Sequence, residues 1–148
     1  MILKEVHMDI MNVPQGYYLA QAISADLNFS VGLPALFDVA YDMSKKFEKE
    51  AETYEEFGAD FNPVPGQVYL IDNVFNLIVK ETSYDRPSRE HLLTALVDLR
   101  EEMEDLYVTK LAIPRICCGR NGLDWREVRN VIEFIFHEFD GEILVCVQ

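Results

Sequence analysis

Lys80 closes an apolar run, Phe75-Asn76-Leu77-Ile78-Val79, and is followed by the polar stretch Glu81-Thr82-Ser83. An amine leaving an apolar strand sits beside low-dielectric surroundings, which favour its neutral, nucleophilic form toward a carbonyl or aldehyde carbon. The plain alternative is a lysine that snorkels from a strand end into water. Cys118-Gly119-Arg120-Asn121-Gly122 is the second stretch with chemical potential. Two glycines let a backbone turn sharply and aim N–H groups at an anion, and Arg120 adds charge. A tight turn between strand and helix would use the same residues. Ser24 and Asp26 open a third polar segment, though both are also ordinary turn formers. Nothing matches a phosphate loop of the GxxxxGK[ST] type or GxGxxG. His7, His91 and His137 are scattered without ligand spacing, so no metal site and no cofactor is expected. Cys117 and Cys118 have no histidine or acid near them in sequence and read as small apolar residues.

These groups must be held by a chain of 148 residues, 49% apolar and 26% charged. That is enough to bury a core without a disulfide or metal, and it fits one domain, residues 1–148. The 26 acidic residues outnumber the 13 basic ones, leaving a formal charge of −13. A field of that sign repels a nucleic-acid backbone, so unmodified DNA or RNA is not an expected partner. A small anion remains possible, because helix N-termini bind phosphate with little help from net charge. No apolar run approaches the ~18 residues of a membrane span, and Met1 to Met11 is too charged for a signal peptide. With three cysteines and no CxxC, a reduced, cytoplasmic protein is expected.

Strand and helix signals alternate along the chain. Leu3 to Met8, Tyr17 to Ile23, Val68 to Ile71, Val74 to Lys80, Lys110 to Ile116 and Ile143 to Val147 read as strands, with Asp72-Asn73 a hairpin turn. A helical pattern begins near Pro34 and continues to about Tyr54, with Leu36, Phe37, Ala40, Phe47 and Ala51 near one face. From Ser88 to about Tyr107, Leu92, Leu96, Leu99, Met103 and Leu106 follow 4-3-4-3 spacing behind a serine N-cap. Asp124 opens the last helix with Glu127 three residues on, the spacing of a capping box, and Gly141 ends it. Apolar strands between long helices predict an α/β fold, a three-layer α/β/α sandwich around a mixed central sheet. In such sheets ligands sit beyond the carboxyl ends of strands. Three segments fall there: Ser24 to Leu33, Lys80 to Pro87, and Cys117 to Leu123.

Taken together these segments resemble a macrodomain, in the compact branch containing terminal ADP-ribose protein glycohydrolases and DNA ADP-ribosyl glycohydrolases. The likeness spans almost the whole chain. Its most specific piece is Ile113-Pro-Arg-Ile-Cys-Cys-Gly-Arg-Asn-Gly-Leu-Asp-Trp125, similar to the family's PRIGCG…GLDW segment. Leu77-Ile-Val-Lys80 followed by Arg86-Pro-Ser-Arg-Glu90 resembles the family's strand, lysine and helix start, and Met8-Asp9-Ile10 and Ala22-Ile-Ser24 resemble two shorter motifs. The resemblance implies ADP-ribose, free or attached to a macromolecule, as the partner. It implies adenine contacts from Asp9 and Ile10. Ser24, Ser30, Val31 and Gly32 would form a first ligand loop, with Cys118, Gly119, Arg120, Asn121 and Gly122 around the diphosphate and distal ribose. It makes Lys80 the nucleophile of a mono-ADP-ribosyl hydrolase. Three loop residues depart from the family. Ser30 and Val31 stand where the first loop usually carries glycine. Asn121, which cannot act as a general base, stands where the protein-directed enzymes have aspartate. A non-catalytic ADP-ribose reader, or a degenerate macrodomain serving in protein assembly, are the alternatives.

Overall fold

The computed structural model describes residues 1–119 and 122–148. Six strands form one sheet in the order β1 (Ile2–His7), β6 (Glu142–Val147), β5 (Lys110–Ile113), β2 (Tyr18–Ser24), β4 (Val74–Lys80) and β3 (Val68–Ile71). All neighbours are parallel except the β3–β4 hairpin, whose Asp72 takes φ 53°. Aspartate is among the residues that tolerate that left-handed conformation, and here its carboxylate pairs with Lys46. The sheet is mixed, as expected.

Alternation along the central strands divides the interior into two cores. Phe75, Leu77 and Val79 of β4, with Leu111, Ile113, Ile143 and Val145, pack against α3 (Arg89–Asp105) and α4 (Trp125–Ile135) through Leu92, Leu96, Leu99, Val128 and Ile132. Val74 and Ile78, with Leu19, Ile23 and Leu144, meet Phe37 of α1 (Gly32–Tyr41) and Met43 and Phe47 of α2 (Met43–Glu56). Two helices therefore cover each face, giving the three layers. Among the described residues no helix is long and apolar enough to cross a membrane.

The expected single helix from Pro34 to Tyr54 is two helices. Asp42, at φ 56° and ψ 44°, ends α1 and begins α2. Its N–H still reaches Asp38 O, while the Asp38 carboxylate accepts from Ser44 N at 2.8 Å, so the break loses few hydrogen bonds. Ser88 caps α3 by accepting from His91 N at 3.3 Å. Asp124 caps α4 through Arg126 N at 2.8 Å, and Glu127 turns outward to Arg89. β5 stops at Ile113, three residues short of the expected end, because Pro114 has no N–H to continue the ladder.

Candidate functional site

The carboxyl ends of β2, β4 and β5 meet in the middle of the sheet, and a cleft of about 420 Å³ opens above them. All three expected segments reach it: Ser24, Asn28, Val31 and Gly32 from the first, Lys80, Ser83 and Pro87 from the second, Cys117, Gly119 and Gly122 from the third. A second hollow of about 350 Å³ lies alongside, lined by Asp9, Ile10, Leu36, Val39 and Cys146. Leu33 and Pro114 line both, so the two form neighbouring lobes separated by a shared apolar wall. Each lobe falls within the size range of small-molecule sites.

Lys80 reaches the first lobe through an irregularity in β4. Ile23 pairs with Ile78, but Ser24 pairs with Lys80, so β4 carries one extra residue at that point. A bulge of this kind re-aims side chains at a strand end. It brings Lys80 level with Ser24, which is only 3% exposed. The Lys80 amine donates to Ser83 O at 3.2 Å. Beyond the last pair, Ala25 N and Asp26 N donate to the carbonyls of Lys80 and Glu81 at 2.9 and 3.0 Å, which extends the β2–β4 contact into both loops.

The first loop is held by its own polar side chains. Asp26 Oδ1 accepts from Ser24 Oγ at 2.5 Å and Asn28 N at 3.2 Å, and Oδ2 accepts from Ser83 N at 3.1 Å. Desolvation pushes the Asp26 carboxyl up, but these donors and the charge of Lys80 outweigh it and hold the group below its ordinary value. Phe29, 6% exposed, stacks on Phe47 at 5.7 Å and pins the loop to the core. Gly32 then takes φ 67°, a conformation that an L side chain resists, and starts α1. Among the described residues no side chain caps α1, in contrast to Ser88 on α3 and Asp124 on α4. The first-turn N–H groups of α1 and the positive end of its dipole therefore lie at the cleft with no cap from the residue before the helix. Such a terminus is suited to a phosphate.

The third segment is built differently. Cys117 carries φ 61°, the strained position that a glycine would ease. Gly122 sits against backbone: a Cβ there would lie 2.3 Å from Cys117 O and 2.9 Å from Gly119 O. Leu123 N closes the turn on Cys117 O at 2.7 Å. Burial pushes the Cys117 thiol up to about 12, with Cys118 adding to the shift and Lys80 opposing it. Burial and the charge of Asp124 push Cys118 up to about 11, Arg115 opposing. Both thiols stay protonated at neutral pH and are poor nucleophiles.

Glu5, on edge strand β1, fastens this segment from outside. Its Oε1 accepts from Arg115 at 3.1 Å and from the Trp125 indole at 3.0 Å, and its Oε2 pairs with Arg129. Desolvation raises the Glu5 carboxyl, but those donors and charges dominate and hold it below its ordinary value. Arg115 lines the first lobe, and its guanidinium lies 5.9 Å from the centre of the Trp125 ring.

Of the residues singled out from sequence, Ser24, Val31, Gly32, Lys80, Gly119 and Gly122 line the first lobe, and Asp9 and Ile10 the second. Asp9 also caps the 3₁₀ turn Ile10–Asn12 through Met11 N at 3.0 Å. Ser30 and Cys118 line neither lobe. Ser30 N is turned to Asn28 Oδ1 at 3.0 Å, and the Cys118 thiol donates to Ile116 O at 3.2 Å. Arg120 and Asn121 lie outside the described residues. Asn28, Ser83, Arg115 and Cys117 are wall residues that the sequence reading did not select.

Several solved structures with the same layout are macrodomains by name. The macrodomain of Thermus aquaticus DarG superposes with a TM-score of 0.83 over 99% of both chains, at 21% identity. The chain has the macrodomain fold. A structure of Thermosipho africanus DarTG in complex with ADP-ribose aligns at a TM-score of 0.79, covering 99% of this chain and 42% of that one at 15% identity. In sequence, this macrodomain is 28% identical to human ADP-ribose glycohydrolase OARD1 over 141 residues, 93% of its own length and 86% of the relative's. No protein-family model matches the chain.

Proposed function

We propose that this macrodomain binds ADP-ribose across the two lobes and hydrolyses mono-ADP-ribose conjugates, linked to protein or to a nucleobase, with Lys80 as nucleophile. The observation that carries the reading is the Lys80 amine at the end of a bulged central strand, in the same cleft as the uncapped N-terminus of α1. A diphosphate at that terminus would leave an adenosine half for the lobe of Asp9 and Ile10 and a distal ribose for the lobe of Lys80. Ser24, Val31, Gly32, Gly119 and Gly122 then line the path of the diphosphate and distal ribose. Arg120 and Asn121 enter the reading through the motif alone. The names of the relatives, an ADP-ribose glycohydrolase and an ADP-ribose complex, point the same way.

The chemistry follows from the amine. The Lys80 nitrogen, in its neutral form, attacks the anomeric carbon of the distal ribose, forming a C–N bond as the bond to the conjugated group breaks, and one of the nitrogen's protons goes with that leaving group. The nitrogen's remaining proton passes to the ring oxygen as the ring C–O bond breaks, which opens the ribose to an imine. Water adds to the imine, and the amine departs, releasing free ADP-ribose and restoring Lys80.

Calorimetric titration should give a dissociation constant of about micromolar for ADP-ribose, near −8 kcal/mol, and weaker binding of AMP. Lys80→Ala should abolish turnover with little change in affinity, because the amine acts on the transition state. Borohydride added during turnover should trap an adduct on Lys80. Wild-type turnover by Lys80→Ala would remove the mechanism, and affinity without turnover in the wild type would make the protein a reader. Absence of binding at millimolar ADP-ribose would remove the ligand and leave the degenerate alternative.

A further inference from the structure

We infer that Asp26 is a positioning residue for the Lys80 amine, acting through the Ser83 peptide; the inference rests on the reading of Lys80 as nucleophile. A lysine amine ends a flexible four-carbon stem, and attack on one carbon requires that the stem be held. In this structure its hydrogen-bond partner is Ser83 O, 3.2 Å away. Ser83 lies in the exposed loop from Glu81 to Pro87, whose other bonds are mostly internal: Thr82 N to Asp85 Oδ2 at 3.0 Å and Asp85 N to Thr82 O at 3.1 Å. What ties Ser83 to the rest of the site comes from the first ligand loop, more than fifty residues earlier in the chain. Asp26 Oδ2 accepts the Ser83 N–H at 3.1 Å, and Asn28 Nδ2 donates to Ser83 Oγ at 2.9 Å. Asp26 Oδ1 meanwhile accepts from Ser24, the residue level with Lys80 across the bulge.

The carboxylate thus joins the ends of β2 and β4 on either side of the amine. A neutral primary amine has two N–H bonds and one lone pair. Spending one N–H on a fixed carbonyl restricts rotation about the terminal bond and limits where the lone pair points. Asp26 touches neither the amine nor the reacting carbon in this arrangement; it fixes the acceptor. Asn28 tethers the same residue through its side-chain hydroxyl, and its Oδ1 also accepts from Ser30 N, so its loss would disturb the ligand loop as well. Asp26 is therefore the cleaner probe.

Asp26→Asn keeps the shape but leaves only one acceptor oxygen for donors that now occupy two. The test measures single-turnover cleavage of an ADP-ribosylated peptide and an ADP-ribosylated oligonucleotide, ADP-ribose affinity, borohydride-trapped adduct and thermal midpoint, in the wild type, Lys80→Ala, Asp26→Asn and Ser83→Ala. The expected result is a fall of about 10- to 100-fold in cleavage and in adduct formation for Asp26→Asn, the range for a misplaced reacting group, with affinity within about twofold. Ser83→Ala loses only the Asn28 tether and should fall by less, about two- to fivefold by the loss of one neutral hydrogen bond. Should Asp26→Asn fail to fold, Asp26→Ser, which removes the carboxylate oxygen that accepts the Ser83 N–H, takes its place: a tenfold or larger fall in cleavage at affinity within about twofold supports the clamp, and wild-type cleavage overturns it. Wild-type cleavage by Asp26→Asn beside an inactive Lys80→Ala would overturn the positioning role and leave the nucleophile standing. A loss of affinity equal to the loss of rate would make Asp26 a binding residue and also overturn it. Full activity in Lys80→Ala, or no cleavage of either substrate by the wild type, would remove the nucleophile and this inference with it.

Discussion

The two loops that meet over Lys80 hold their shapes by opposite means. The first, Ser24 to Leu33, uses side chains: Asp26 and Asn28 satisfy neighbouring N–H groups, and Phe29 anchors it in the core. Its helix, α1, then begins without a side-chain cap. The third segment, Cys117 to Leu123, relies on close backbone contact at Gly122 and, through its neighbours Arg115 and Trp125, on the outside brace of Glu5, and its helix, α4, is capped by Asp124. A capped terminus has already given donors to the protein, whereas an uncapped one retains them for a ligand. On the proposed reading the difference assigns the anion to the helix terminus that follows the first loop, while the described residues from Pro114 to Leu123 bring shape and the guanidinium of Arg115.

Gly122→Ala should have the largest effect on this contrast. A methyl 2.3 Å from Cys117 O cannot be accommodated without moving backbone, since neither neighbour is a flexible side-chain end. Overpacking of this kind costs about 1–3 kcal/mol, so the unfolding midpoint should fall and ADP-ribose affinity with it. Gly119→Ala is the internal control: its Cβ meets nothing within 4 Å among the described residues. If both variants matched the wild type in urea unfolding, the third segment would not depend on backbone contact. Gly32→Ala comes next. Its space is open, the nearest atom being Pro34 Cδ at 3.8 Å, but φ 67° costs an L residue about 1–2 kcal/mol. The strain falls at the start of α1, so ADP-ribose binding should weaken by up to about tenfold. Unchanged affinity in Gly32→Ala would argue against the helix terminus as the phosphate site.

Much of this arrangement is readable in the sequence, for reasons that separate local from distant effects. The ends of apolar runs and the caps Ser88 and Asp124 mark the sheet, the helices and the edge on which Lys80 falls. Asp42 breaks a helix whose apolar spacing continues across it, because a single left-handed residue leaves no mark on the period. The β4 bulge is equally silent: Val74 to Val79 are buried throughout, so an added residue changes no visible alternation. Cys117 takes a positive φ that its residue type does not announce, and what requires a glycine at 122 is close contact with the backbone of Cys117 and Gly119. The Asp26–Ser83 and Glu5–Trp125 bonds join residues 57 and 120 apart, and no local pattern announces them.

The smallest expected effect lies at Glu5, and pH separates it from ordinary surface charge. One carboxylate there serves Arg115, Trp125 and Arg129. Pairs at a partly exposed position contribute about 0.2–1 kcal/mol each, so Glu5→Gln should destabilise by about 1 kcal/mol near neutral pH. The Glu5 carboxyl is held below its ordinary value in the folded chain. A depressed carboxyl binds fewer protons folded than unfolded, so its contribution is fully present above the unfolded value of about 4.3 and is lost as pH falls through the folded one. Glutamine cannot titrate in that window. Urea unfolding of the two proteins should therefore differ near neutral pH and converge as pH falls below the ordinary carboxylate range. A difference that stayed constant with pH would mean that Glu5 acts by packing and not by charge. The brace on Arg115 would then be steric, and the third segment's hold on the guanidinium would have to come from the Trp125 ring.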